Sequence, residues 1–295
     1  MSDYSMWVLE YGQIKETPTS SLVYGAHNAG TLRLPYCYVV LRGRGHTAMV
    51  DVGYNYYDHS RAFVERFGPT DWHTPTETLA LVGLKPEDID TVFITHAHFD
   101  HMGNLGDFPN AHVYVQEEEL AKQIWAMSLP PRLQFPSMGT DPGDLLRCLG
   151  LVREGRVTLL NGDVEDILPG IDVRLAADSH TPGSMYVVVR NDGQATSEDS
   201  WVFAGDLAYT QANMAAPGAV VGVDTMYVPV GLAAGSLTKC ILAQEAMMKT
   251  VGYDPRRVVA VHEDKLVDMF PSRIVEEGSR VIEIALADGE SSKVN

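Results

Sequence analysis

The segment Thr95–Asn104 (T-H-A-H-F-D-H-M-G-N) holds three histidines and one aspartate within six consecutive positions. The β-branched run Thr91–Thr95 predicts a buried strand that ends where this cluster begins. An extended start would direct His96 and His98 to one side, and a turn before Gly103 would gather the aspartate and the third histidine beside them. Imidazole nitrogens with one carboxylate suit zinc, and also iron or manganese, so the segment predicts a metal site.

Three further candidate ligands follow apolar stretches elsewhere in the chain. His180 lies in D-S-H-T-P-G, Asp206 ends the run V-F-A-G-D, and His262 ends V-V-A-V-H. Taken alone, His180 and His262 are slightly better explained as hydrogen-bonded turn residues, so their value as ligands depends on the joint pattern. A structural metal site would be closed and typically cysteine-rich, so a His/Asp set with room for water indicates catalysis.

The order of these motifs resembles the metallo-β-lactamase superfamily, over roughly Leu34 to His262. The resemblance implies an α/β fold, an αββα sandwich, with two divalent metal ions in a cleft at one sheet edge. The implied ligands are His96, His98 and His180 for one ion, Asp100, His101 and His262 for the other, and Asp206 as the bridge. Asp51, in M-V-D-V-G, matches the first motif of the family and would orient the ligands.

Two further residues indicate which type of reaction the chain catalyses. Tyr209 stands three positions after Asp206, in G-D-L-A-Y-T, and Phe99 stands inside the histidine motif. Both resemble the N-acyl-homoserine lactone lactonase branch of the superfamily. This implies a dinuclear-metal-dependent hydrolase that opens a lactone or a similar cyclic or aromatic ester by attack of a metal-bound hydroxide. Asp100 would pass a proton to the leaving group, and Tyr209 would hydrogen-bond the developing oxyanion.

Two long segments depart from the short lactonases, Trp125–Asp144 and Gln211–Gly235. We expect both to be inserts in a single domain over residues 1–295, acting as lids or binding loops or as the contact of a homodimer. Because these segments carry aromatic and methionine residues, an aromatic or ring-containing substrate is as plausible as an acyl-homoserine lactone. The candidate substrate-binding residues are Phe99, Met102, Trp125, Phe135 and Met226.

Other functions fit parts of the pattern. A glyoxalase II-like thioesterase shares H-x-H-x-D-H, but the chain lacks an evident basic patch for the carboxylates of glutathione. A persulfide dioxygenase-like iron oxidoreductase shares the scaffold, and so does a hydrolase of another small aromatic ester, ether or amide. A non-catalytic binding module is disfavoured by the complete ligand set.

The amino-acid composition limits the kinds of partner that we expect the chain to bind. The net charge is −17, from 39 acidic and 22 basic residues, which disfavours a nucleic-acid partner. No apolar run is long enough to cross a bilayer, and the start lacks the pattern of a secretory signal. Three separated cysteines (Cys37, Cys148 and Cys240) suit a reducing compartment, so we expect a cytoplasmic protein with a small-molecule substrate.

The rest of the chain predicts strands in two groups with helices between them. Strands are expected at Tyr36–Arg42, His46–Asp51, His112–Gln116, Val157–Leu160, Asp172–Ala176, Met185–Arg190, Trp201–Ala204 and Arg257–Val261. Helices are expected over about Ser60–Phe67, Glu117–Met127 and Leu237–Thr250, with Ser236 as the N-cap of the last, followed by closing helical segments. This alternation indicates paired sheets flanked by helices.

Overall fold

The computed structural model of the chain describes residues 2–217, 225–233 and 235–295. Its strands are β1 (Tyr4–Pro18), β2 (Thr31–Gly43), β3 (His46–Val50), β4 (Thr91–Phe93), β5 (His112–Gln116), β6 (Val157–Leu160), β7 (Val164–Leu168), β8 (Ile171–Leu175), β9 (Met185–Arg190), β10 (Ser200–Phe203), β11 (Ala216–Pro217), β12 (Thr225–Met226), β13 (Val258–Val259), β14 (Ser272–Glu276) and β15 (Ser279–Ala285). Its helices are α1 (Thr19–Leu22), α2 (Asp58–Phe67), α3 (Pro75–Ala80), α4 (Phe99–Met102), α5 (Glu117–Met127), α6 (Pro142–Arg153), α7 (Ala212–Ala215), α8 (Leu237–Thr250) and α9 (Leu266–Met269).

Most of these strands form two sheets. The larger has the order β14-β15-β1-β2-β3-β4-β5-β6, with antiparallel pairs from β14 to β3 and parallel pairs from β3 to β6. The smaller has the order β13-β10-β9-β8-β7 and is antiparallel except for the β10–β13 pair. Parallel neighbours need crossover connections, and these connections carry most of the helices.

Alternating side chains show how the layers pack. Met6 of β1 shares a buried cluster with Val187 of β9, so this cluster lies between the two sheets. Trp7, the next residue of β1, belongs to a second cluster that includes residues of α3, α5 and α6. Tyr186 of β9 belongs to a third cluster with residues of α8. Since successive residues of a strand face opposite ways, both sheets are covered on both faces, and the predicted αββα sandwich is confirmed.

Most of the predicted strands and helices lie close to their expected bounds. Ser236 caps α8 as predicted, since its hydroxyl accepts a hydrogen bond from the amide of Lys239 over 3.3 Å. The expectation of closing helical segments is wrong beyond the short α9, because β14 and β15 form a hairpin beside β1. The alternation in S-R-V-I-E-I-A and the turn at Gly278 (φ 73°) were signals for that hairpin.

The long strand β1 was not predicted, and α6 begins inside the first predicted insert. In the described ranges, no helix combines the length and apolar character needed to cross a bilayer. The single-domain organisation stays a prediction.

Candidate metal centre

Loops at one edge of the two sheets bring the candidate ligands together. His96 follows β4, His180 lies between β8 and β9, Asp206 follows β10, and His262 follows β13. Because β10 and β13 are parallel neighbours, their carboxyl ends meet at the same edge. The backbone amide at the start of β9 donates to the carbonyl of Thr95 over 2.9 Å, which joins the end of β4 to the smaller sheet.

The histidine motif changes from extended to helical backbone at His98. This residue is the N-cap of α4, with φ −75° and ψ 156°. The single helical turn that follows carries Asp100 and His101, and both are buried. The turn expected from the sequence is therefore a short helix. This helix carries Asp100 and His101, whereas His96 and His98 precede it.

The seven residues singled out as ligands converge in two groups. In each group, one ligand atom per residue lies within 4.8 Å of all the others. The groups are His96, His98, His180 and Asp206, and Asp100, His101 and His262. This is the division into two ion sites that the family resemblance implies.

Asp206 lies between the two groups, with one carboxylate oxygen facing each. Oδ2 lies 3.5 Å from Nε2 of His96 and 3.3 Å from Nε2 of His180. Oδ1 lies 3.1 Å from Nε2 of His101 and 3.2 Å from Nε2 of His262. A carboxylate in this position can bridge two cations.

Hydrogen bonds on the far side of two imidazole rings set their orientation. Asp51 Oδ2 accepts from Nδ1 of His101 over 2.7 Å, and the carbonyl of Pro35 accepts from Nδ1 of His262 over 2.7 Å. Both bonds leave Nε2 directed at Asp206. The Asp51 carboxylate thus stands where a ligand-orienting group is required.

Two histidines of the first group are neutral at physiological pH. Burial, with the neighbouring His101 and His98, lowers the pKa of His96 well below its usual range. Burial, with His180 next to it, lowers the pKa of His98 to about 3. A neutral imidazole keeps a lone pair that can bind a cation.

Three buried carboxylates, those of Asp51, Asp100 and Asp206, favour positive charge at the cluster. Burial opposes charge on His101, but Asp206, Asp100 and Asp51 raise the pKa of this histidine well above its usual range. Nε2 of His101 and Oδ1 of Asp206 are also buried, and although 3.1 Å apart they do not have the geometry of a hydrogen bond. Buried polar atoms left unpaired in this way are satisfied when they coordinate a cation. The residues therefore fit two divalent metal ions.

Tyr209 packs over the same cluster. Its ring centroid lies 5.1 Å from that of His262 and 5.8 Å from that of His180. Burial, and then the charges of Asp206 and Asp100, raise the pKa of Tyr209 well above its usual range. The phenol keeps its proton at neutral pH and can donate a hydrogen bond.

A cavity of about 140 Å³ opens beside the cluster. Its polar side consists of His98, Asp100, Asp206, Tyr209 and His262. Its other walls are apolar and aromatic, with glycines between them: Leu22, Leu34, Tyr36, Phe67, Phe99, Phe135, Pro136, Met138, Gly139, Gly231, Leu232 and Ala233. Among the described residues that line it there is no lysine or arginine.

Two of the five residues predicted to bind substrate, Phe99 and Phe135, line this cavity, and the other three do not. Met102 is fully buried in the core, because the helical turn of α4 directs it away from the ligands. Trp125 is 55% exposed on α5. Met226 lies in the β11–β12 hairpin, opposite Ala216.

Both inserts contribute to the cavity wall, and apart from Phe135 they do so through residues that were not singled out. Met138 comes from the first insert and Leu232 from the second, of which residues 218–224 and 234 lie outside the described residues. Tyr36 of β2 was predicted only as a strand residue, yet its ring lies 5.4 Å from that of His262. Leu34 and Tyr36 share one face of β2, but alternation alone does not reveal what that face meets.

Gly139 fastens the first insert to the histidine motif. Its carbonyl accepts a hydrogen bond from the amide of Phe99 over 2.8 Å. A Cβ at this position would lie 2.6 Å from Cδ2 of His98, so only glycine allows the insert to approach this closely.

The fold and the cluster together define an αββα protein with a candidate metal centre. Residues 30–249 match the family described as the Metallo-beta-lactamase superfamily. The chain belongs to this superfamily.

Individual relatives agree with this assignment. Probable metallo-hydrolase Rv2300c of Mycobacterium tuberculosis (strain ATCC 25618 / H37Rv) is 36% identical over 62 residues, 21% of this chain and 20% of that protein. N-acyl homoserine lactonase of Bacillus cereus is 22% identical over 196 residues, 66% of each chain. The chain thus spans between about one fifth and two thirds of these relatives.

Solved structures share the fold. AidC, a dizinc quorum-quenching lactonase in complex with a product, superimposes with a TM-score of 0.61 and 15% identity, over 90% of this chain and 89% of that chain. An identity this low shows the fold alone. The superfamily membership and the lactonase relatives together support a metal-dependent hydrolase.

Proposed function

We propose that the chain is a hydrolase that uses two zinc ions to open a lactone or a similar cyclic or aromatic ester. The observation that carries this proposal is the position of Tyr209, which lines the same cavity as the His/Asp cluster and retains its proton. The similarity to the Bacillus cereus lactonase supports the same reaction class.

The two groups of ligands would hold one ion each, and Asp206 would contact both. Ions bound there would supply an activated water molecule and would polarise the carbonyl group of the substrate. The imidazole-rich set and the dizinc lactonase of similar fold favour zinc, with iron or manganese as the alternatives.

The protein's own side chains handle the proton and the developing charge. Tyr209 donates a hydrogen bond to the carbonyl oxygen as it becomes negative. Asp100 lines the cavity, and its Oδ2 lies 3.4 Å from Nε2 of His101. After water adds to the carbonyl carbon, the ring C–O bond breaks, and Asp100 carries the water proton to the departing ring oxygen. The product is a hydroxy acid.

The apolar wall favours a substrate without a negative charge. Phe99 stacks on Phe67 with ring centroids 5.0 Å apart, and both rings line the cavity. These rings exclude water and pack against an acyl chain or an aromatic ring. The absence of lysine and arginine from the described lining disfavours acyl-glutathione, which carries carboxylates.

The test combines elemental analysis of the purified protein with a substrate panel. The panel contains N-acyl-homoserine lactones, aromatic lactones, aryl esters and acyl-glutathione thioesters, and a separate assay follows oxygen uptake with a persulfide. We expect two zinc ions per chain and fastest turnover of a lactone or an aryl ester. Preferential cleavage of thioesters, or persulfide-dependent oxygen uptake with one iron per chain, would refute the proposal.

A further inference from the structure

We propose that Glu119 is a positioning residue that holds together the two loops bearing His96, His98 and His180, and that it thereby sets the affinity of one of the two metal sites. This inference rests on the proposed metal centre. Glu119 is not itself a candidate ligand, and the histidine motif does not include it.

Each carboxylate oxygen of Glu119 binds a different loop. Oε1 accepts a hydrogen bond from the amide of Ala97 over 2.9 Å, between the first two histidines of the motif. Oε2 accepts from the amide of Gly183 over 2.7 Å and from the hydroxyl of Thr181 over 2.8 Å, just after His180. One side chain on α5 therefore ties two segments that are far apart in the sequence.

The contact is buried and tightly packed. Glu119 is 0% exposed, and a fourth hydrogen bond reaches Oε1 from Nε2 of Gln123 over 3.2 Å. A Cβ on Gly183 would lie 2.3 Å from the backbone nitrogen of Glu119, so the loop after His180 rests directly on the start of α5. A buried carboxylate is costly unless its acceptors are satisfied, and here uncharged donors satisfy them.

Glu119 serves only one of the two metal sites. His101 and His262 are oriented by Asp51 and by the carbonyl of Pro35, so their site does not depend on α5. Loss of the Glu119 contacts should weaken the site formed by the other three histidines and leave this one in place. Groups that hydrogen-bond metal ligands typically contribute roughly 10–100-fold to metal affinity, and we expect an effect in this range for Glu119, which acts through residues next to the ligands.

The experiment is a Zn²⁺ titration of the metal-free full-length chain by competition with a chromophoric chelator. Glu119→Gln is isosteric, but its amide nitrogen must face either Ala97 or Gly183, whose amides can only donate. The matched control is Glu118→Gln, which removes the same charge from an exposed position on the same helix. We expect two tight sites in the wild type and in the control. In Glu119→Gln we expect one site to be roughly 10–100-fold weaker and the other unchanged.

A second pair of variants decides the question if Glu119→Gln does not fold. Thr181→Val removes one donor to Oε2 at nearly constant volume, and Thr181→Ser keeps the hydroxyl. We expect Thr181→Val to weaken one zinc site and Thr181→Ser to restore it. Unchanged affinities in Glu119→Gln, or equal weakening of both sites, would overturn the inference and leave the proposed function intact. A wild type that binds no Zn²⁺ would instead refute the proposed function itself.

Discussion

Asp51 and His101 are joined by a buried hydrogen bond of 2.7 Å between Oδ2 and Nδ1. The same carboxylate accepts hydrogen bonds from the amide and the hydroxyl of Thr95, each over 2.8 Å. Asp51 itself adopts a left-handed backbone conformation, with φ 62°. A left-handed backbone is energetically unfavourable for a residue other than glycine. Its presence here is consistent with a role of Asp51 in the metal centre rather than in the preceding strand.

Replacement of Asp51 by Asn should weaken the metal site that contains His101 more than the site that contains His96, which Asp51 reaches only through Thr95. Asn keeps one acceptor oxygen but cannot bind Thr95 and His101 as the carboxylate does. We expect metal affinity of the site containing His101 to fall by roughly 10–100-fold, measured by competition with a chelator. This is the reverse of the selectivity expected for Glu119→Gln. Equal affinities in Asp51→Asn and the wild type would contradict an orienting role for Asp51.

Replacement of Tyr209 by Phe should reduce turnover without changing metal content. The variant loses the hydrogen bond to the developing oxyanion, which is worth about a hundredfold in kcat at comparable sites. Steady-state kinetics with the best lactone or aryl ester, combined with elemental analysis, measure both quantities. Full activity in the variant would remove the role assigned to the phenol.

Replacement of Phe135 by Ala should raise KM for substrates with an aromatic ring or a long acyl chain. Phe135 lines the cavity while remaining 66% exposed, so we expect loss of roughly 1 kcal/mol of apolar contact and an increase of about fivefold in KM. Trp125→Ala is the matched control, because this exposed side chain of the same insert does not line the cavity. An equal effect of both replacements would place the substrate elsewhere.

Removal of metal should lower the thermal stability of the protein. Asp51, Asp100 and Asp206 are buried together, and bound cations would offset their mutual repulsion. Ligand present at about a thousand times its Kd adds about 4 kcal/mol to the free energy of unfolding, or roughly 10 °C in Tm for a chain of this size. Thermal melts in chelator and after zinc is restored measure the difference. An identical Tm in both conditions would contradict a metal centre at these residues.

Asp144 should make stability depend on pH. Burial and the neighbouring Asp141 raise the pKa of Asp144 from 3.8 to about 7, although Arg147 lowers it. Between these values the unfolded chain releases the proton while the folded chain keeps it. The folded state therefore loses stability as pH rises from about 4 to about 7, by at most about 4 kcal/mol.

Asp144→Asn cannot ionise, so it should gain stability relative to the wild type as pH rises through this window. Chemical denaturation at pH 4 and pH 8 measures the two differences in the free energy of unfolding. Parallel pH profiles for the two proteins would show that Asp144 does not titrate as described.

Local signals account for the parts of the fold that were predicted correctly. The run before His96, the helix Glu117–Met127 and the cap at Ser236 each depend on neighbouring residues, so propensity and spacing reveal them. The closing hairpin was mispredicted although its alternation was visible, because pairing with β1 stabilises it and β1 had not been recognised.

The sequence by itself determined which residues could form the metal centre, because their chemistry and their order along the chain are properties of sequence. Tertiary structure alone decided that the two oxygens of Asp206 face different histidines and that Glu119 joins two loops. It also decided that Met102 and Trp125 turn away from the cavity while Tyr36 enters it. These outcomes depend on contacts between residues far apart in the chain, and local periodicity carries no information about what a side chain will meet there.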